Sequence, residues 1–302
     1  MDRSGGRVIA VVPPRDPRTD PDVPNGMSIE LLQDLHLLTR DRQLNADARR
    51  KLKQIRHLVG LLTPALDDAK QRTAEPLIVD CGAGKSYLGA LLYELVLGPH
   101  GHGTLVAIEA RPELSEQAAA RARRFGQQRF RVITAPIASI DVASLGQRPN
   151  VVTALHACDT ATDDALALAI TTSADHVAVV PCCQAEVARQ LERARPADAA
   201  IAALFDHPLH RRELGSHLTN VIRGLALAAH GYKVTVTELV GWEHSAKNEL
   251  ILGKRVARFD ASARAQLRQV LERFGISPAI VRALASVGLD PCAEPAPGDP
   301  RA

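Results

Sequence analysis

Two glycines set between two acids are the residues of this chain best arranged for chemistry. The run Leu77-Ile-Val-Asp-Cys-Gly-Ala-Gly-Lys-Ser-Tyr-Leu-Gly89 reads as a buried strand closed by Asp80, a tight turn at Gly82 and Gly84, and the start of a helix. Further on, Thr104-Leu-Val-Ala-Ile-Glu109 is a second apolar run that also ends in an acid. A strand, a glycine turn and an acid closing the next strand make a nucleotide-type ligand site. Downstream, His156, Cys158 and Asp159 follow one apolar run, and Cys182 and Cys183 follow another. These could supply a base, a thiolate nucleophile or metal ligands.

Three ligand classes compete for the turn. A dinucleotide turn, G-x-G-x-x-G, fails because Tyr87 stands at its third glycine. A phosphate loop, G-x-x-x-x-G-K-[ST], finds its end in Gly84-Lys85-Ser86, but its first glycine falls on Val79, inside an apolar strand. The S-adenosylmethionine (SAM) turn, D-x-G-x-G, fits Asp80, Gly82 and Gly84 without a gap. SAM carries no phosphate, so it needs close backbone approach rather than an anion cradle. Asp80 suits a ligand with an amino group and a sulfonium, and Glu109 would accept hydrogen bonds from both ribose hydroxyls. The expected cofactor is therefore SAM.

Elements able to position these residues can be read on either side. Residues 1–26, rich in Pro, Asp, Arg and Gly, suggest a loose arm. Residues 27–72 are a helical extension: Leu31, Leu32, Leu35, Leu37 and Leu38 form one stripe, and a second helix starts near Asn45 with Leu52, Ile55, Leu58, Val59, Leu61 and Leu62 inward. Its other side carries Arg49, Arg50, Lys53 and Arg56, either a solvated face or a basic lip over the ligand site. Residues 73–256 alternate strand and helix, with apolar runs at 77–80, 104–109, 131–135, 150–156 and 176–180. An apolar helix at 219–229 precedes a β-branched strand at 232–242, a polar turn at 243–248 and a last strand at 249–256. That loop is too short for a parallel crossover, so the final two strands form an antiparallel hairpin. Residues 257–302 hold two short helices and a loose tail.

The chain has 302 residues, 46 % of them hydrophobic but only 3 % aromatic, so its core is aliphatic. A net charge of +3 does not by itself indicate nucleic acid. Five cysteines without C-x-x-C spacing suggest reduced thiols. The first residues lack an apolar signal region, and no apolar run reaches the ~18 residues of a membrane helix, so the expected location is cytoplasmic. Oligomeric state is not legible.

Three motifs resemble the class I SAM-dependent methyltransferase-domain family that includes the methyltransferase-like proteins and the eukaryotic tRNA ribose methyltransferases. They are Asp80-Cys-Gly-Ala-Gly-Lys-Ser-Tyr-Leu, Leu155-His-Ala-Cys-Asp-Thr-Ala-Thr-Asp163 and Val180-Pro-Cys-Cys-Gln184. Lys247-Asn248 is a weaker match in the hairpin turn, and Lys53-Gln-Ile-Arg-His57 is similar to the helix that precedes the SAM domain in these proteins. The likeness spans residues 45–256. It implies a Rossmann-like α/β fold, parallel strands closed by an antiparallel C-terminal hairpin, with an N-terminal helical extension. It also implies that Lys53, Gln54, Asp80, Gly82, Gly84, Glu109, Ile137 and His156 bind the cofactor. Relatives often carry glycine at the position of Ser86. No acid directly follows the third strand, so Ile137 would pack on the adenine, with Asp141 a distant candidate.

In an open α/β sheet the ligand lies outside the carboxyl ends of the strands. His156 and Asp159 are the groups placed there to take a proton from an acceptor; alternatively the His156 ring packs, and Asp159 caps the next helix in competition with Thr160 and Asp163. Cys182 and Cys183 could act on a pyrimidine ring, could join Cys158 and His156 around zinc, or could be small buried apolar residues. Adjacent cysteines rarely point the same way from a strand, so no metal is expected. The expected function is methyl transfer from SAM to RNA, tRNA or rRNA. The alternatives are a protein side chain or small metabolite as acceptor, a non-catalytic SAM or RNA binder, and an NTPase resting on Gly84-Lys85-Ser86.

Overall fold

The structure is a computed structural model that describes residues 16–155, 157, 159–181, 185–194, 199–239, 249–256 and 259–293. The chain divides into two compact units, one ending at Arg56 and the other starting at His57. The boundary lies inside one helix, Ala46–Arg72.

Within the smaller unit, Ser28 starts the helix Ile29–Asp34 by accepting from the Leu31 N–H at 3.1 Å. Asn45 does the same for the long helix, accepting from the Ala48 N–H at 2.8 Å. Leu31, Leu32, Leu35, Leu37, Leu38, Leu52 and Ile55 are buried. The arm expected to be loose has structure from Asp16 onward. Its acids have a partner that composition does not show: Asp20 and Asp22 both pair with Arg49, and the Pro21 carbonyl accepts from Arg56.

The larger unit is built on one seven-stranded sheet in the order β3-β2-β1-β4-β5-β7-β6. The strands are β1 (Leu77–Cys81), β2 (Thr104–Glu109), β3 (Phe130–Thr134), β4 (Val151–Leu155), β5 (His176–Val180), β6 (Tyr232–Glu238) and β7 (Glu249–Arg255). The first five are parallel, and β7 runs antiparallel to both β5 and β6. β1 and β5 are buried at every residue, as strands covered by helices on both faces must be. β1 lies between β2 and β4, so the strand order reverses there and a crevice opens at the carboxyl ends of β1 and β4.

The helix expected at 219–229 begins three turns earlier, at Pro208. Its opening turns are polar, so apolar periodicity shows only the later, buried part. Pro208 opens it at a position where a missing N–H costs nothing. Two shorter helices, Ala261–Phe274 and Ala279–Ser286, follow the hairpin. No helix among the described residues is long and apolar enough to cross a membrane.

The hairpin closes on the parallel strands through Gly253, which faces Val177 across the β5–β7 ladder. A Cβ at Gly253 would lie 2.7 Å from Val177 Cγ1 and 3.2 Å from Tyr232 Cδ1. Tyr232 is itself fixed, its hydroxyl donating to the Ala174 carbonyl at 2.8 Å. Gly253→Ala should therefore lower stability by ~1–3 kcal/mol in urea unfolding, and an unchanged midpoint would contradict this packing.

Candidate active site

The turn after β1 is left-handed at three positions: Gly82 at φ 63°, Gly84 at φ 58° and Ser86 at φ 53°. Glycine adopts this conformation without strain, and serine does not. A Cβ at Gly82 would fall 3.4 Å from Ala157 Cβ and 4.0 Å from Ile137 Cδ1. The turn thus sits against Ile137 after β3 and Ala157 after β4, and presents bare backbone beside them. Val79 is fully buried in β1, paired with Val106 and Val152, which removes the first residue of a phosphate loop.

Asp80 closes the core beneath this turn and is 2 % exposed. It accepts from the Gly89 N–H, while its Oδ2 and the nearby Ser86 Oγ have no hydrogen-bond partner among the described residues. A Cβ at Gly89 would meet Ser86 Oγ at 2.6 Å and Asp80 Oδ2 at 3.2 Å, so both atoms crowd one helix start. Burial pushes the Asp80 carboxyl up to about 7, the Gly89 N–H opposes this, and the Glu109 charge adds to it. A cation beside the carboxyl would favour its ionised form.

Glu109 ends β2, and its side chain is 5 % exposed. Its Oε2 accepts from the Gly84 N–H at 2.7 Å, which ties the acid directly to the glycine turn. Its Oε1 accepts from the Arg111 backbone N–H at 3.0 Å and from Arg111 Nε at 2.7 Å. Burial raises the Glu109 carboxyl, but the Arg111 and Gly84 donors outweigh it and hold it below its ordinary value.

At the end of β4, the Ala157 carbonyl accepts from Thr162 Oγ1 at 2.6 Å. Asp159 is left-handed at φ 50°. Its carboxylate reaches across to the segment after β5, accepting from the Ala185 N–H at 3.3 Å and from Arg189 at 3.4 Å. Thr160, not Asp159, is the residue that opens the helix Ala161–Thr171. His156, Cys158, Cys182, Cys183, Gln184, Lys247 and Asn248 lie outside the described residues. The structure therefore brings together Asp80, Gly82, Gly84, Glu109 and Ile137, with Asp159 on the adjoining strand end. Lys53 and Gln54 belong to the smaller unit, where Lys53 lies 3.9 Å from Asp22.

These residues fit SAM: bare turn backbone, an acid at the end of β2, a buried carboxyl able to answer a cation, and an apolar wall at Ile137. Residues 50–190 match the family model Methyltransf_32, a methyltransferase domain. This stretch is a methyltransferase domain. Its cofactor is S-adenosylmethionine, and the sheet is the class I arrangement expected of it. Solved structures similar to the chain include a magnesium protoporphyrin IX methyltransferase from Synechocystis with bound S-adenosylhomocysteine, at 11 % identity and TM-score 0.42, covering 74 % of this chain and 94 % of that one. A SAM-dependent methyltransferase from Aquifex aeolicus has 13 % identity and TM-score 0.37, covering 64 % and 89 %. An rRNA methylase from Streptococcus thermophilus has 11 % identity and TM-score 0.39, covering 60 % and 87 %. Likenesses this distant do not extend to the substrate. No protein of curated function matches the chain.

Sequence reading missed two residues of this site. Gly89 is spaced like any helical glycine, and only its closeness to Asp80 and Ser86 marks it. Arg111 carried a weak signal, since a cation two residues beyond a strand-ending acid can fold back on it.

The site makes two predictions. Because the folded-state pKa of Asp80, about 7, exceeds its ordinary 3.8, the folded protein holds the extra proton between those values. The carboxyl therefore costs stability as pH rises through that window, by roughly 4 kcal/mol once fully ionised. Asp80→Asn cannot titrate, so its stability relative to wild type should climb from about pH 4 to about pH 7 in denaturant unfolding. Parallel pH curves would contradict the buried, underpartnered carboxyl. Glu109→Ala should weaken S-adenosylhomocysteine binding by ~1.5–3 kcal/mol in isothermal titration, the worth of hydrogen bonds to a charged acceptor.

Proposed function

We propose that this methyltransferase acts on RNA. The observation that carries the reading is a group of cations at the glycine turn. Lys85 is exposed on the turn, and its carbonyl accepts from Arg121 Nη1 at 2.8 Å. Arg111 Nη2 lies 3.8 Å from where a Cβ at Gly84 would be. Arg111 answers Glu109, but Lys85 and Arg121 add positive charge at the turn, beside a cofactor that itself carries no phosphate, which favours a polyanionic second substrate. The likeness of the 155–163 and 180–184 motifs to those of tRNA ribose methyltransferases supports the same substrate. The basic helix face is a weaker support, because Arg49 and Arg56 are engaged by Asp20, Asp22 and the Pro21 carbonyl within their own unit.

SAM, when bound, supplies a methyl group on a positively charged sulfur, already a good leaving group. The chain supplies alignment and a dry floor. Gly82 and Gly84 allow close approach of backbone, Glu109 offers carboxylate oxygens to a diol, and Ile137 and Ala157 exclude water beside the turn. Asp159 is the described side chain at this rim able to hold a proton from an acceptor hydroxyl or ring nitrogen. Its carboxylate is 38 % exposed despite its contacts with Ala185 and Arg189.

Mass spectrometry of nucleosides from cells with and without the gene tests the proposal. One methylated nucleoside should vanish from RNA with the gene, and the purified protein should restore it from labelled SAM. Transfer that persists after RNase treatment of the acceptor fraction would overturn the RNA reading in favour of a protein or metabolite. Replacing both Lys85 and Arg121 by Glu should weaken RNA binding and flatten its log–log salt dependence by about 0.7 for each phosphate no longer neutralised.

A further inference from the structure

Arg223 is a fully buried cation that the methyl-transfer reading does not use. It sits on the helix Pro208–Ala229 and is 1 % exposed, the largest side chain so completely buried among the described residues. Four hydrogen bonds leave its guanidinium. Nε donates to Asp163 Oδ1 at 2.9 Å and Nη2 to Asp163 Oδ2 at 2.8 Å, a two-pronged grip on the start of the helix after β4. Nη2 also donates to the Asp159 carbonyl at 3.0 Å. Nη1 donates to Asn220 Oδ1 at 3.1 Å, and Asn220 Nδ2 donates onward to Glu249 Oε2 at 2.8 Å, at the first residue of β7.

Asp159 passes this restraint on. Its carbonyl is held by Arg223 while its carboxylate holds the Ala185 N–H and Arg189 after β5. One cation therefore links the exit of β4, the segment after β5 and the start of β7. These three segments border the carboxyl ends of β4 and β5, beside the glycine turn. A buried ion pair is often no more stabilising than apolar packing of the same volume, so stability alone does not account for an arginine here. Its fork geometry does: four donors fix four acceptors in direction as well as distance, which lysine or an apolar residue would not do.

We propose that Arg223 is a positioning residue for methyl transfer, holding Asp159 in its left-handed conformation and setting the β4 exit against the Ala185–Arg189 segment and Glu249. The proposal rests on the reading of this rim as the methyl-transfer site. None of the hydrogen bonds of Arg223 goes to the glycine turn or to Glu109, so its loss should act on the acceptor side rather than on cofactor binding.

The test uses the full chain with Arg223→Lys, which keeps the charge and loses the fork, and Asn220→Ala, which cuts the branch from Arg223 to Glu249. Labelled methyl transfer from SAM to RNA is measured together with amide hydrogen exchange. In Arg223→Lys, kcat should fall by about tenfold or more while KM for SAM stays within about twofold, because misplacement of a reacting group costs rate rather than cofactor affinity. Exchange should rise about tenfold in peptides covering 159–165 and 185–191, as local opening becomes easier. Asn220→Ala should raise exchange in 249–255 and leave 185–191 protected; it carries the test if Arg223→Lys fails to fold. Wild-type kcat and wild-type exchange in the folded variants would overturn the proposal, as would a loss confined to KM for SAM. A wild-type protein that binds S-adenosylhomocysteine but methylates no RNA would fail the RNA reading alone, and the exchange pattern would then decide the positioning role.

Discussion

A carboxyl group buried at the end of the central strand is the constraint on which the rest of the site depends. β1 is hydrogen-bonded on both sides by parallel neighbours, with Asp80 in register with Ala107 and Thr153. It cannot slip without turning its side chains to the wrong face. Asp80 is therefore fixed below the turn, and everything above must accommodate it. Gly89 brings a backbone N–H to it and leaves room for it beside Ser86 Oγ, and Gly82 and Gly84 take the chain over it in a left-handed path. The site keeps a group that burial disfavours in its charged form, as functional sites often do at some cost in stability.

Above this floor the strand-end segments cannot satisfy their backbone groups through the sheet ladder, so side chains do it. Glu109 holds the turn through the Gly84 N–H, Asp159 holds the segment after β5 through the Ala185 N–H, and Arg223 holds the Asp159 carbonyl. Each bond joins residues distant in sequence but adjacent at the rim. On the proposed reading Glu109 serves the cofactor side and Asp159 with Arg223 the acceptor side, with Ala157 between them against Gly82.

Much of this architecture was legible because it depends on local pattern. Short apolar runs, the first two closed by acids, marked the parallel strands to within a residue, and the brief link between 242 and 249 required an antiparallel hairpin. The turn was legible at Asp80, Gly82 and Gly84, and Val79 argued correctly against a phosphate loop. What stayed hidden depends on long-range contact. The arginine on helix 208–229 looks like one polar residue in an apolar stretch until Asp163 is found sixty residues away in sequence. The early polar turns of that helix carry no periodic signal. Likewise, nothing in the composition of the arm shows that Asp20 and Asp22 engage Arg49.

A crystal structure of the protein with S-adenosylhomocysteine tests the central claim most directly. The account places the nucleoside at the carboxyl ends of β1 and β2, its sugar hydroxyls on the Glu109 carboxylate and its amino acid end over Gly82 and Asp80. A nucleoside bound elsewhere with Glu109 untouched, or a nucleotide whose phosphates engage Lys85 when both ligands are offered, would contradict it.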